Sequence, residues 1–177
     1  WLAAGRPTGA ASALEAWLAR QPRDPAVLST LAQIDLQAGR DEVARRRLLD
    51  VVQQQPGNAA ALNNLAWLVQ KAGTPAALAE ARPLAERALF LAPTAEAADT
   101  LGWILARQGE RDRGVALLRQ AAATRPEPGM AFRLAWALGE AGHRAEARGV
   151  LEPLLAAGAA FPERQEAERL LARLRGG

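Results

Sequence analysis

The chain has no cysteine and no tyrosine, one histidine, one methionine and a single lysine, Lys71. Without cysteine it has neither a disulfide nor a thiolate metal site, a composition that suits the cytoplasm and the periplasm alike. Any serine–histidine pair would have to use His143, which sits just after Gly142 in an expected turn and reads as a surface residue. No nucleophile-elbow or glycine-rich phosphate loop is present, and the carboxylates are scattered, usually near arginine. The expectation is a non-enzymatic chain with no cofactor and no metal. No run approaches the ~18 apolar residues of a membrane span. Neither a signal peptide nor an initiator methionine is visible. The chain opens on Trp1-Leu2-Ala3-Ala4-Gly5, which reads as the end of a helix. The sequence is therefore expected to be a piece of a longer protein, with any membrane attachment through an anchor outside it.

What is present is helix-forming. Half of the 177 residues are hydrophobic, alanine, leucine and arginine dominate, and β-branched residues are few. The pI of 10.8 reflects arginine in place of lysine and the lack of tyrosine and cysteine, because the net charge is only +3. The dense run Arg45-Arg46-Arg47 lies among Glu42, Asp50 and glutamines, so it reads as a solvated helix face and not a nucleic-acid surface.

The order in the sequence is periodic. "NNLAWLVQKAG" (63–73), "DTLGWILARQG" (99–109) and "FRLAWALGEAG" (132–142) share a central tryptophan and a closing glycine. The glycines Gly5, Gly39, Gly73, Gly109 and Gly142 recur about every 34 residues. So do Pro22, Pro56, Pro93 and Pro126, interlocked with them. Between a proline and the next glycine the apolar residues follow helical spacing, as in Leu28, Leu31, Ala32 and Leu62, Leu65, Ala66. Glycine stops that helix by taking the left-handed cap conformation. A second helix follows, carrying Ala44, Leu48 and Val51, or Ala10, Leu14 and Trp17.

This unit resembles the tetratricopeptide (TPR) repeat, a helix pair with fixed small, apolar, glycine and proline positions. Residues 25–58 match as Leu28, Leu31, Ala32, Gly39, Ala44, Leu48, Val51 and Pro56. Residues 59–94 match with a short insertion around Thr74-Pro75-Ala76; residues 95–127 and 128–161 also match, the last with its proline late, at Pro162. Residues 1–24 read as the second half of a truncated repeat, and 162–177 as a capping helix and tail with Leu170, Leu171 and Leu174 on its apolar edge. The resemblance implies one all-α, right-handed superhelical solenoid of antiparallel helix pairs, about ten helices in all. Asp35 departs from the pattern where the family usually buries an aromatic, and Ala98 and Ala131 replace a large residue. Pro83 is expected near the start of a second helix, where a missing N–H is tolerated. Pro153 lies deeper, against Gly149, where a kink is expected.

The family geometry implies that the first helix of each repeat lines a concave groove. It places Trp67, Trp103 and Trp136 at one inward position, Asn63, Asp99 and Phe132 at a second, and Lys71, Arg107 and Glu140 at a third. Either the indoles fill space between neighbouring first helices or they contact a partner, and the two roles can coexist. Lys71 and Arg107 would favour acidic groups, with Glu96 and Asp99 limiting Arg107 by pairing with it.

Over roughly residues 59–175, "LNNLAWL", "DTLGWILARQG", "GVALLRQAA" and "RLAWALGEAGHRAEAR" also resemble the C-terminal repeats of PEP-CTERM/exosortase-system TPR lipoproteins of exopolysaccharide export. That resemblance implies a periplasmic, often lipid-anchored scaffold of Gram-negative bacteria, binding a protein or peptide in its groove; a cytoplasmic location is the alternative. The other readings are an auxiliary region of a larger enzyme such as a glycosyltransferase, and polysaccharide binding by the tryptophan stripe. An apolar face around Leu14 and Trp17, stripped of a neighbour, points to pairing of two copies through the N-terminal end.

Overall fold

The computed structural model describes residues 7–158 and 160–176. The expected helix end over residues 1–5, with Gly5, lies outside them, as does the side chain of Ala10. The described residues form ten helices and no strand. They are α1 (Pro7–Leu18), α2 (Pro25–Gln37), α3 (Asp41–Gln54), α4 (Ala59–Gln70), α5 (Pro75–Leu91), α6 (Ala95–Arg107), α7 (Arg111–Thr124), α8 (Pro128–Glu140), α9 (Arg144–Ala156) and α10 (Arg164–Arg175).

Local chemistry sets these boundaries. The Asp24 carboxylate caps α2, accepting from the Ala26 and Val27 amides at 3.0 and 3.1 Å. Asn58, Thr74 and Thr94 cap α4, α5 and α6 in the same way. Gly39, Gly73, Gly109 and Gly142 adopt φ values of +71° to +90° in the turns that follow α2, α4, α6 and α8. A β-carbon is disfavoured in that left-handed region, which explains the glycine period in the sequence.

Consecutive helices pack as neighbours, and α4 with α6, α6 with α8, and α8 with α10 also touch. Thus α2, α4, α6, α8 and α10 make the inner row, whose helices approach one another, and α3, α5, α7 and α9 the outer row. Leucines such as Leu31, Leu48, Leu62, Leu105, Leu118, Leu138 and Leu151 are buried between the rows, and alanines such as Ala32, Ala44, Ala66, Ala81 and Ala135 are fully enclosed where helices cross. The tightest crossing is α6 on α7. A β-carbon on Gly114 would lie 2.8 Å from the Ala106 nitrogen and the Gly102 oxygen. At the far end, Ala167, Leu170, Leu171 and Leu174 cover the last apolar face, while the charged side of α10 stays outside, as expected of a capping helix.

Two expectations need correction. Pro83 sits in the middle of α5, not near its start. The helix begins at Pro75 behind the Thr74 cap, so the short insertion adds a turn at its front and buries Leu78. Arg47 is not part of a solvated face: it is largely buried, pairing with Asp35 on α2 and Glu15 on α1. Asp35, 2% exposed, also accepts from Arg40 Nε at 2.7 Å. An ion-paired carboxylate therefore fills the place where the repeat usually holds an aromatic ring. Pro153 lies inside α9, and the helix continues through it to Ala156.

Candidate functional site

The three repeated tryptophans are half-buried on the inner row, on α4, α6 and α8. Trp103 and Trp136 meet edge to face, with ring centroids 4.9 Å apart at 71°. The Arg107 guanidinium lies 5.5 Å from the Trp103 ring centre, and that of Arg133 lies 4.9 Å from the Trp67 ring centre. The indoles therefore pack against neighbours and keep part of their surface open. Phe132 is 3% exposed and Asp99 4%, so these two form the floor between inner helices and not its rim.

The charged candidates are satisfied within the chain. Asp99 takes a two-pronged bond from Arg133, with Nε–Oδ1 at 3.0 Å and Nη2–Oδ2 at 2.7 Å. Burial pushes the Asp99 carboxyl up from its ordinary value, and the Arg133 guanidinium pulls it back. Arg133 also reaches Glu163 at 3.4 Å. Arg107 donates to the Gln70 side-chain and main-chain oxygens, at 2.9 and 3.2 Å, and to the Gly73 oxygen at 3.4 Å. It thus closes the C-terminal end of α4 and does not pair with Glu96 or Asp99, contrary to expectation; Glu96 pairs with Arg125. Lys71 pairs with Asp41, and Glu140 with Arg173 at 3.2 Å.

Open space lies between successive inner helices. A cavity of about 600 Å³ separates α2 from α4, lined by Ser29, Thr30, Gln33, Gln37 and Asn64 with no charged side chain. A second, of about 300 Å³, runs from α4 to α6 past Gln33, Asn63, Asn64 and Thr94. The Asn63 Oδ1 atom is buried and accepts no hydrogen bond among the described residues. A third, of about 270 Å³, lies between α8 and α10 and takes in Phe132 and Trp136. Among the described residues, no cluster of acidic, histidine or cysteine side chains could hold a metal ion.

The sequence reading missed several lining residues. Ser29, Gln33 and Gln37 occupy in repeat 25–58 the three inward positions that selected Asn63, Trp67 and Lys71 in the next repeat. The same register carried into α10 reaches Glu166 and Leu170. Arg133 gave no such signal, because its partners Trp67 and Asp99 lie on two other repeats.

Paired helices, glycine-closed turns and an inner row with open clefts define a helical-repeat solenoid. The family model described as tetratricopeptide repeat matches residues 2–68. The fold as a whole is the right-handed TPR solenoid, shared with several solved structures. The thermophilic TPR protein TTC0263 of Thermus thermophilus is 24% identical, with a TM-score of 0.70, over 98% of this chain and 92% of that one. MamA from Desulfovibrio magneticus RS-1 (residues 41 to the end) is 19% identical, TM-score 0.69, over 88% and 87%. YrrB, a TPR protein with an unusual peptide-binding site, is 15% identical, TM-score 0.67, over 93% and 82%. No curated protein matches the chain. No described helix is long and apolar enough to cross a membrane.

Proposed function

We propose that this chain is a non-catalytic scaffold that holds an extended peptide segment of a protein partner along its inner row. The observation that carries this reading is the Asn63 amide oxygen. It is buried without a partner among the described residues, on a residue that lines the cavity between α4 and α6. A buried acceptor of this kind calls for a donor, and a peptide N–H supplies one. Around it, Gln33 and Asn64 present further amide groups, and their mutual hydrogen bond is long, at 3.4 Å. Such groups suit the regularly spaced N–H and C=O of an extended chain. The neighbour YrrB, with its peptide-binding site on the same fold, supports the reading by analogy. Trp67, Trp103, Phe132 and Trp136 supply the apolar contact surface on the same row, while Lys71, Asp99, Arg107 and Glu140 fix its shape through their internal bonds.

The setting we propose is bacterial exopolysaccharide export on the periplasmic side of a Gram-negative envelope, with a lipid anchor outside this sequence. Its support is the resemblance of the ordered phrases over residues 59–175. Trp17, 45% exposed on α1, supports pairing of two copies through that end.

The test is selection of peptides from a displayed random library, with Asn63→Ala and Asn64→Ala as controls. The reading expects selected peptides to lose about tenfold in affinity for either variant, in line with about 1.4 kcal/mol for a lost hydrogen bond to a buried group. Peptides that bind both variants as tightly as the parent would contradict it. Loss of polymer secretion on deleting the gene would support the setting, and unchanged secretion would argue against it.

A further inference from the structure

Two carboxylates compete for one buried guanidinium in the inner row. Arg133 of α8 lies between Asp99 of α6 and Glu163, which leads into α10. Asp99 holds it with both oxygens, at 3.0 and 2.7 Å. Glu163 holds it with one, Oε1, at 3.4 Å, while its Oε2 is buried and bonded to nothing among the described residues. A second two-pronged seat for the guanidinium is therefore built and only half used. The two seats lie on opposite sides of α8 in the order of the inner helices. In the Asp99 seat the guanidinium also covers the Trp67 ring on α4, 4.9 Å from its centre.

The charges around the pair decide which seat is taken. The Asp99 side chain is 5% exposed, against 26% for Glu163. Burial, first, raises the Asp99 carboxyl above its ordinary value; Glu127 and Glu163 push the same way, and Arg133 opposes them. Glu127, just before α8, is itself held by Arg125, as is Glu96 on the same helix as Asp99. Helix α4 carries no charged side chain, and no charge of α5 or α7 bonds to Asp99 among the described residues. A carboxyl raised in the folded chain binds its proton more readily there than in the unfolded one, so this group favours folding as the pH falls through the folded value. Asp99 is therefore neutralised in a chain that is still folded.

We infer that Arg133 is a proton-driven switch: when Asp99 takes up a proton, the guanidinium passes to the Glu163 seat and uncovers the face of Trp67. A neutral carboxyl has an O–H to donate and no full charge with which to hold two N–H groups, whereas Glu163 offers an oxygen that lacks a donor. The step from 3.4 Å to an ordinary hydrogen-bond length is short. It draws the guanidinium from the α4 side of α8 to the α10 side, away from the indole. In acid the inner row thus gains an open aromatic face and loses the tie across α6. That a bound peptide senses the change rests on the peptide reading above; the switch itself does not.

The test is run on the free protein, so that failure of the switch and failure of the peptide reading are distinguishable. The Trp67 indole N–H, assigned by its loss in Trp67→Phe, and the Asp99 carboxyl carbon are followed by NMR from neutral pH into acid. The two signals are expected to shift together in one step, with the amide dispersion of a folded chain retained. Asp99→Asn should hold the indole at its acid position at every pH. Glu163→Gln should abolish the indole shift while Asp99 still titrates, because the second seat has lost its charge. An indole that stays still as Asp99 titrates would overturn the switch. So would an indole shift unchanged in Glu163→Gln, or unfolding before or within the step. If Asp99→Asn does not fold, the parent and Glu163→Gln, whose altered side chain is part-exposed, decide the matter.

Discussion

Arg133 on α8 stacks over the Trp67 ring on α4, 4.9 Å from its centre, and reaches it across α6, where it is bonded to Asp99. One guanidinium thus ties three successive inner helices together. Arg133 is 9% exposed and Asp99 4%. Removing Arg133 leaves a buried carboxylate, at a cost of about 3–5 kcal/mol. Arg133→Ala is expected to show that loss in urea unfolding. A double-mutant cycle of Arg133→Ala with Trp67→Ala should give a coupling of about 1–2 kcal/mol, as for a desolvated cation on an indole. A coupling near zero would mean that the stacking is incidental.

Asp35 makes the corresponding tie at the other end. It is enclosed, and Arg40 and Arg47 both bond to it, with Arg47 reaching on to Glu15 of α1. Asp35→Asn is expected to cost about 2–3 kcal/mol, at or below the low edge for a broken buried pair, because Arg40 can turn to water. The loss should appear first as increased amide exchange in α1, which packs chiefly on α2. Unchanged protection of α1 would contradict the tie.

The α6–α7 crossing admits no side chain. Gly114→Ala is expected to destabilise by about 1–3 kcal/mol, the usual cost of overpacking, because its new carbon meets backbone and not a movable side-chain end. Gly149→Ala on α9 is the control: its β-carbon would meet nothing within 4 Å. Thermal melting should separate the two, and equal behaviour would count against the close approach.

Stability should also fall in acid through Glu110. Arg82, first, and then Arg113 hold its carboxyl below the ordinary value. A carboxyl lowered in the folded state stabilises above its unfolded value, and that contribution is lost as the pH falls through the folded one. Glu110→Gln is therefore expected to be less stable than the parent at neutral pH and to converge with it at the acid end of the carboxylate range. A gap that persists or widens in acid would contradict the assignment. Melting curves at several pH values decide this.

What the sequence disclosed follows from periodicity. The glycines that need positive φ, the alanines at crossings and the leucines between rows recur at one interval, so helix pairs and stacking order could be read directly. The inward position of Trp67, Trp103 and Trp136 followed from the family resemblance, not from the period itself. The connections of Arg133 and Arg107 were not legible, because a guanidinium on a long stem chooses among partners several helices apart. Asp35 stood out as an anomaly, yet its partners became evident only when α1, α2 and α3 were packed. Pro83 was misplaced because a three-residue insertion lengthens a helix as readily as a loop, and Thr74 and Pro75 start α5 early.

The central claim is that the inner row is the binding surface. The direct measurement is the change in amide and indole NMR signals of the protein on titration with a peptide selected from the displayed library. The account predicts shifts at Gln33, Asn63 and Asn64 and at the indole of Trp136, with Leu49 and Phe90 on the outer row unchanged. Shifts centred on the outer row, around the 88%-exposed Phe90, with the inner row silent, would contradict it.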